Sequence, residues 1–204
     1  MKWWIAVVLF LSGCSAHRPY DQPRRYSVFV DAGHGGRDGG SCVPGLCEKD
    51  VALDTAVHVE RDLRMMGYNV YMSRTDDRFV PLLTRVAASK RHGADVYVSI
   101  HCNSAKNCRA RGFEVYYYAR SKYTAASKQL AVSIVGRLSR LALPSRGVKS
   151  GNFCVIREPT VPSVLVETAF LSNVQDARLL RSAAFRRYMA KAIAQGIDNY
   201  FSGR

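Results

Sequence analysis

The sequence predicts an α/β fold in one domain, with a central sheet, mostly parallel or mixed, flanked by helices. Short apolar runs that end in glycine or polar residues alternate with longer segments in which apolar residues recur every three or four positions. The chain has 204 residues, of which 48% are hydrophobic, and this suffices for one core. Because no linker or change in composition divides the later part, we expect a single folded domain over residues 26–204.

The first half of this domain is predicted to hold three strands and two helices. Glycines between positions 33 and 40 permit only a loop after the first strand, and Gly67 and Gly93 end the two helices. The first helix begins at Glu48 and buries one apolar face. In order, the predicted elements are a strand at 26–30, a helix at 48–66, a strand at 69–73, a helix at 81–92 and a strand at 95–100.

The second half is predicted to contain three more strands and three helices. In order, these are a strand at 112–118, a helix at 124–141, a turn at 144–147, strands at 153–156 and 164–168, and two helices within 175–201. In folds of this class, ligands gather beyond the carboxyl ends of the strands. In this prediction His34, His101 and Glu167 all fall there, so we expect the functional site at that edge of the sheet.

The first residues of the chain are predicted to direct export rather than to fold. A short positive start is followed by an apolar run at positions 3–11 that is too short for a permanent membrane helix. Leu11-Ser12-Gly13-Cys14 resembles the bacterial lipobox, which implies a lipoprotein signal peptide at 1–13, acylation of Cys14 and a lipidated tether at 14–25. Ser15 after the cysteine favours the periplasmic side of the outer membrane. The alternative is an ordinary signal peptide with an incidental cysteine.

The chain is strongly basic, and this charge suggests anionic partners. Lys and Arg number 30 against 16 Asp and Glu, a formal net charge of +14. Such a surface attracts nucleic acid, acidic lipid or anionic cell wall. Because the sequence has neither a Lys/Arg-rich run nor an aromatic block typical of RNA-binding domains, we expect no nucleic-acid partner.

Five cysteines remain if Cys14 carries lipid, and an exported protein can form disulfides. Sequence proximity favours two local bridges, one within 42–47 and one within 102–108, with Cys154 left as a buried thiol. The sequence alone does not decide which cysteines form disulfides with one another. Zinc ligation by sulfur is a weaker alternative, because neither pair is followed by a second pair at matching spacing.

Four residues near the ends of apolar runs carry the chemistry of a metal site. His34, Glu48 and His101 supply three nitrogen or oxygen ligands, and Glu167 supplies a further carboxylate. Catalytic zinc takes three protein ligands, leaves a position for water and needs a group that moves protons. Each residue also has an ordinary explanation: a hydrogen-bonding histidine, a helix-dipole partner at Glu48, or a glutamate buried against arginine.

The glycine-rich loop around His34 does not fit a nucleotide site. The dinucleotide fingerprint would require a third glycine where Asp38 stands, and no Gly-Lys-Ser/Thr sequence ends the loop. The glycines instead suggest that the chain passes close to a metal and a bulky substrate.

Several blocks taken together resemble the zinc-dependent N-acetylmuramoyl-L-alanine amidases of the third amidase type. The resemblance covers residues 26–200 and includes VFVDAGHGG, Glu48, VYMSRTDD, ADVYVSIHCNS, GVKSGNFCVIR and PSVLVETAFLSN. It implies that His34, Glu48 and His101 bind Zn²⁺ and that Glu167 is the catalytic acid/base. It further implies cleavage of the amide between N-acetylmuramic acid and L-alanine in peptidoglycan. By the same resemblance Arg157 positions substrate carboxylates or Glu167, and Asn103 lines the cleft.

Two departures from the family pattern carry expectations of their own. The family usually has alanine where Cys102 stands, so disulfides are expected to brace the metal loops here. Some relatives insert a helix that plugs the cleft until an activator binds, and the segment from His101 to Thr124 leaves little room for one. We therefore expect an enzyme that needs no activator, and separately we expect a monomer.

Two other functions remain open at this level. A zinc carboxypeptidase or endopeptidase acting on the stem peptide would use the same ligands. A wall-binding lipoprotein without activity would be expected to lack a ligand or the base, and all four residues are present.

Overall fold

A six-stranded sheet forms the centre of the molecule, and helices cover both of its faces. The computed structural model describes residues 26–203. In chain order the elements are β1 (Ser27–Ala32), β2 (Cys42–Val43), β3 (Leu46–Cys47), α1 (Glu48–Met65), β4 (Asn69–Met72), α2 (Leu82–Arg91), β5 (Val96–Asn103), β6 (Phe113–Tyr117), α3 (Thr124–Leu138), β7 (Ser145–Ser150), α4 (Cys154–Arg157), β8 (Ser163–Phe170), α5 (Val174–Arg181) and α6 (Ala183–Ser202). The predicted α/β class is confirmed.

The sheet is mixed, with strand order β4-β1-β5-β8-β6-β7. Strands β4, β1, β5 and β8 run parallel, whereas β6 runs antiparallel to β8 and parallel to β7. The parallel strands are apolar on both faces, as expected where helices cover both sides. Their carboxyl ends lie at one edge, and the start of β6 lies at that same edge because β6 runs in the opposite direction.

Successive residues of a strand face opposite sides of the sheet, which divides the core in two. The larger core lies under α1, α3 and α6, where α1 and α3 both pack against α6. The smaller core lies under α2 and α4 and contains Phe29, Tyr97 and Leu165. These two short helices leave much of the second face uncovered beside β6 and β7, and the functional site lies on this face.

Two local predictions are wrong. The predicted turn at 144–147 lies largely within β7. This strand contains Gly147 at a positive φ of 76° and pairs with β6 through a register irregularity, so a glycine that suggested a turn lies inside a strand. The predicted strand at 153–156 is instead the single helical turn α4. A four-residue apolar run fits a buried strand and a short helix equally well, so its period cannot separate them.

Two boundaries near the site also differ from prediction. His101 lies inside β5, which continues to Asn103, rather than after the strand. The predicted loop before Glu48 contains the small hairpin of β2 and β3. Helix α1 does begin at Glu48 as predicted, with Glu48 and Asp50 in its first turn.

One of the two expected disulfides is present. Cys42 and Cys47 are bonded across the β2–β3 hairpin, immediately before Glu48. The pairing of Cys102 with Cys108 is wrong: Cys102 points into the larger core with Sγ 3.3 Å from Thr168 Oγ1, while Cys108 is exposed in the following loop. Cys154 is a half-buried free thiol on α4.

Removal of the Cys42–Cys47 bridge should weaken the fold next to Glu48. The chain-entropy model for a loop of this size gives a loss of about 2 kcal/mol in the free energy of unfolding. Urea unfolding of Cys42→Ser/Cys47→Ser should show this loss, with Cys108→Ser as the control at an exposed free thiol. Equal stability of all three proteins would contradict a bracing role.

The predicted signal peptide, Cys14 and the tether lie outside the described residues. Within residues 26–203, no helix combines the length and apolar character needed to cross a bilayer.

Candidate active site

The three predicted ligands meet at the carboxyl edge of the sheet. His34 lies in the loop after β1, Glu48 opens α1, and His101 lies near the end of β5. Glu48 Oε1 is 3.0 Å from His34 Nε2 and 2.9 Å from His101 Nδ1. The ligand atoms of all three side chains lie within 4.8 Å of one another, and no other cluster of this kind occurs in residues 26–203.

This donor set fits a zinc ion. Two imidazole nitrogens and one carboxylate oxygen are ligands typical of catalytic zinc, which keeps a further position for water. The glycines of the loop make the approach possible: a Cβ at Gly33 would lie 2.4 Å from His101 Cε1, and one at Gly40 would lie 2.6 Å from Glu48 Oε2. The glycines therefore let the loop pass close to the side chains of the three predicted ligands.

Glu48 is held as an ionised carboxylate. Burial raises its pKa, but hydrogen bonds and charges from His101 and His34 outweigh burial and hold the pKa far below the usual range. Its two oxygens also accept backbone hydrogen bonds, Oε1 from Cys102 N at 3.0 Å and Oε2 from Ser41 N at 3.0 Å. A buried anion fixed in this way is ready to bind a cation.

A further carboxylate, Asp38, orients His34, and sequence reasoning missed it. Asp38 Oδ1 lies 2.9 Å from His34 Nδ1 and accepts a hydrogen bond from Gly40 N at 3.1 Å. This contact leaves Nε2 of His34 directed at Glu48. His34 itself adopts φ 59°, the left-handed region that non-glycine residues rarely occupy. The one sequence signal that could have found Asp38 is its spacing of four residues from His34 in the same loop.

Replacement of Asp38 by alanine should lower metal affinity without unfolding the protein. Carboxylates that orient a metal-bound histidine typically contribute about 10- to 100-fold to affinity. Competition with a zinc chelator measures this change. Asp76→Ala, at an exposed position in the loop before α2, is the control, and equal affinities for the two variants would exclude the orienting role.

Two buried arginines hold the backbone of the His34 loop. Arg85 donates to His34 O at 2.6 Å and pairs with Asp31 at 2.8 Å, with both side chains almost fully buried. Arg74 donates to Gly33 O at 2.7 Å and to Lys49 O at 2.8 Å. Sequence reasoning missed both residues, because an arginine in a chain with 30 basic residues is expected at the surface.

Arg85→Met should destabilise the fold by about 3–5 kcal/mol at neutral pH, since it leaves the buried Asp31 without its cation. In the wild type, burial raises the pKa of Asp31, but the Arg85 charge and hydrogen bonds with Ser73 and Ser99 outweigh it and lower the pKa overall. Because the pKa of Asp31 is lower in the folded than in the unfolded protein, its ionisation stabilises the fold above pH 3.8. This contribution is lost as the pH falls through the pKa that Asp31 has in the folded protein.

The difference in unfolding free energy between wild type and Arg85→Met should therefore be largest near neutral pH and smaller in acid. Urea titrations across this range measure it. Arg91→Ala, an exposed substitution at the end of the same helix, serves as the control. A difference that does not change with pH would contradict the role assigned to Asp31.

Glu167 lies beside the ligand cluster as predicted. On β8 its Cα pairs with His101 of β5 on one side and with Glu114 of β6 on the other. Its Oε2 is buried and has no hydrogen-bond partner in the described part of the chain. Burial first, and then the negative charges of Glu48 and Glu114, raise the pKa of Glu167 to about 7. Within residues 26–203 no arginine pairs with Glu167, so the ordinary explanation of a glutamate buried against arginine finds no support there.

The two predicted substrate residues lie at different places. Asn103 ends β5 and donates from Nδ2 to Glu114 Oε1 at 2.6 Å, close to the site. Arg157 ends α4, is exposed, and hydrogen bonds with Glu158 at 2.6 Å and Asn152 at 2.9 Å rather than with Glu167. A role in substrate binding stays a prediction for both residues.

The chain is similar to amidases over almost the whole described region. A family model described as N-acetylmuramoyl-L-alanine amidase (Amidase_3) matches residues 28–199. The uncharacterised protein YqiI of Bacillus subtilis is 42% identical over 177 residues, which cover 86% of this chain and 84% of YqiI. The N-acetylmuramoyl-L-alanine amidase AmiC of Neisseria meningitidis is 35% identical, and the match covers 88% of this chain but only 53% of AmiC.

Solved structures show the same similarity in three dimensions. The catalytic domain of CwlV, an N-acetylmuramoyl-L-alanine amidase from Bacillus (Paenibacillus) polymyxa var. colistinus, superimposes with a TM-score of 0.82 at 37% identity and covers 88% of this chain and 99% of that domain. The amidase AmiC2 of Nostoc punctiforme superimposes with a TM-score of 0.80 at 36% identity and covers 89% and 99% of the two chains.

Proposed function

The chain belongs to the Amidase_3 family of N-acetylmuramoyl-L-alanine amidases, and from that premise we propose that it is a zinc-dependent peptidoglycan amidase. The bond cleaved is the amide between N-acetylmuramic acid and L-alanine, so the reaction strips stem peptides from glycan strands. The observation that carries this proposal is the position of Glu167 next to the cluster of His34, Glu48 and His101.

In the mechanism that we propose, Glu167 moves the protons. A zinc ion bound by His34, Glu48 and His101 would supply Lewis-acid chemistry at the scissile carbonyl and lower the pKa of water. Glu167 accepts a proton from the attacking water and returns it to the departing nitrogen of L-alanine, which leaves as a free amine. A pKa of about 7 suits both steps, because the same group must act first as base and then as acid.

Product analysis tests this function directly. Whole sacculi incubated with the full chain and zinc should release intact stem peptides with a free L-alanine amino group, and the glycan should keep the lactyl carboxyl. A peptidase acting on the stem would instead leave shortened peptides attached to the glycan. Release of no product at all would favour a wall-binding protein without activity.

We propose that the protein is anchored by a lipid at Cys14 on the periplasmic side of the outer membrane. The support is the sequence Leu11-Ser12-Gly13-Cys14, followed by Ser15. Mass spectrometry of the mature amino terminus from the membrane fraction should find acyl chains on Cys14. An amino terminus without lipid, or a Cys14→Ser protein that remains in the membrane fraction, would contradict the anchor.

We propose further that the enzyme acts as a monomer without an activator. The alignment with AmiC extends over 222 positions although it takes in only about 180 residues of this chain. AmiC thus carries about 40 residues within the aligned region that have no counterpart here. The purified protein should digest sacculi on its own, and a requirement for an added partner would refute this proposal.

A further inference from the structure

A cluster of polar side chains surrounds the buried Glu114 next to Glu167, and the mechanism above does not use it. We call it the Glu114 cluster; its members are Asn103, Glu114, Tyr116, Arg146 and Lys149. Glu114 Oε2 accepts from Arg146 Nε at 2.7 Å and from Lys149 Nζ at 2.5 Å. Glu114 Oε1 accepts from Asn103 at 2.6 Å and from the Tyr116 hydroxyl at 2.7 Å. All four donors therefore converge on one carboxylate.

The cluster carries an excess of positive charge with unused donors. Two cations share one carboxylate, and the Glu114 side chain is only 3% exposed whereas those of Arg146 and Lys149 are 37% and 34% exposed. Arg146 uses only Nε on Glu114, and within residues 26–203 nothing accepts from its two terminal nitrogens. A guanidinium held in this way presents a planar pair of donors that matches a carboxylate.

The cluster lies one strand away from the proposed acid/base. Glu114 and Glu167 are Cα partners in the antiparallel pair of β6 and β8, and their side chains face the same side of the sheet. The Arg146 guanidinium carbon lies 5.0 Å from the ring centroid of Phe170, which is on β8 three positions after Glu167. A group bound by Arg146 and Lys149 would thus sit beside the reacting bond.

We propose that Arg146 and Lys149 bind a carboxylate of the stem peptide, one residue beyond the scissile amide. This inference rests on the proposed function and names the part of the substrate that the site selects. In a stem whose second residue is a γ-linked D-glutamate, the free α-carboxylate of that residue stands there. One residue of extended peptide spans about 3.5 Å, and neighbouring strands lie about 4.8 Å apart, so a leaving peptide crossing from Glu167 toward β6 brings this carboxylate over the cluster.

A matched pair of synthetic muropeptides tests the proposal. They are identical N-acetylmuramoyl tripeptides with D-glutamate as the second residue, one with a free α-carboxylate and one with an α-carboxamide. Loss of a charge-assisted hydrogen bond corresponds to about a tenfold change in affinity. The wild type should therefore show a KM about tenfold lower for the carboxylate form, with little difference in kcat.

Single neutral variants should erase this preference. Arg146→Gln and Lys149→Gln should each raise KM for the carboxylate form and leave KM for the carboxamide form unchanged. Lys128→Gln is the matched control, because it removes one positive charge from the exposed side of α3, on the opposite face of the sheet. It should keep the tenfold preference.

Two kinetic outcomes would overturn the proposal. One is a wild type without a preference, and the other is an equal loss of activity on both substrates in the Arg146 and Lys149 variants, as expected if the two cations only neutralise Glu114. Calorimetric binding of the free tripeptides to the wild type separates this inference from the proposed function. Tighter binding of the carboxylate tripeptide than of the carboxamide tripeptide supports the proposed role of Arg146 and Lys149 even if no amide is cleaved. Equal binding of the two tripeptides, or no binding, refutes that role.

Discussion

Glu167→Gln is expected to abolish hydrolysis of peptidoglycan while the zinc content of the protein stays the same. Glutamine keeps the size and position of the side chain between His101 and Glu114 but cannot accept the proton of the attacking water. Loss of a positioned acid/base typically costs about 10²- to 10⁴-fold in rate. Initial rates on labelled sacculi and zinc content by elemental analysis measure the two quantities separately.

The control for this experiment is Glu60→Gln, on α1 and paired with Arg64 away from the site. It removes the same charge and should keep full activity. A Glu167→Gln protein that retains activity would show that another group moves the proton. Loss of zinc together with activity would instead assign Glu167 to the metal cluster.

His101→Ala is expected to remove both the bound metal and the activity. It deletes one of the three proposed ligands and also a hydrogen bond at 2.9 Å that keeps Glu48 ionised in its buried position. Structural and catalytic zinc sites depend on all their protein ligands, so zinc content should fall from about one per chain to near zero. Dialysis against a weak chelator followed by elemental analysis measures the loss.

His92→Ala is the matched control, since His92 follows α2 and stacks on Tyr71 at 4.1 Å between ring centroids, outside the ligand cluster. Its zinc content and activity should equal those of the wild type. Unchanged zinc content in His101→Ala would rule out a ligand role for that residue.

The ligands were predictable from sequence because backbone topology alone brings them together. His34 follows one apolar run and His101 ends another, and the carboxyl ends of parallel strands share an edge whatever the details of packing. Glu48 was predictable only together with the two histidines and the family resemblance, because an acid in the first turn of a helix is also explained by the helix dipole. Glu167 stood out because it interrupts an apolar run, where a charge without a purpose is costly.

The supporting residues were not predictable, because their surroundings come from distant parts of the chain. Glu114 alternates with Phe113 and Val115, a pattern that predicts an exposed acid on a half-buried strand. It is buried because Arg146 and Lys149, on a strand missed in the sequence, cover it. Arg85 is buried for a similar reason, since its partner Asp31 is 54 residues earlier.

The boundary between β5 and β8 separates the proposed metal ligands from the residues that surround Glu167. All three proposed metal ligands come from residues 34–101, on the β5 side, whereas Glu167, its neighbour Glu114 and the basic pair that contacts Glu114 come from β8, β6 and β7. If Arg146 and Lys149 bind the peptide as proposed, substitutions on β7 alter which peptides are accepted without touching the proposed metal ligands. Peptide preference is then separable from hydrolysis, so one edge strand can be redesigned for another wall chemistry while the proposed hydrolytic centre stays constant.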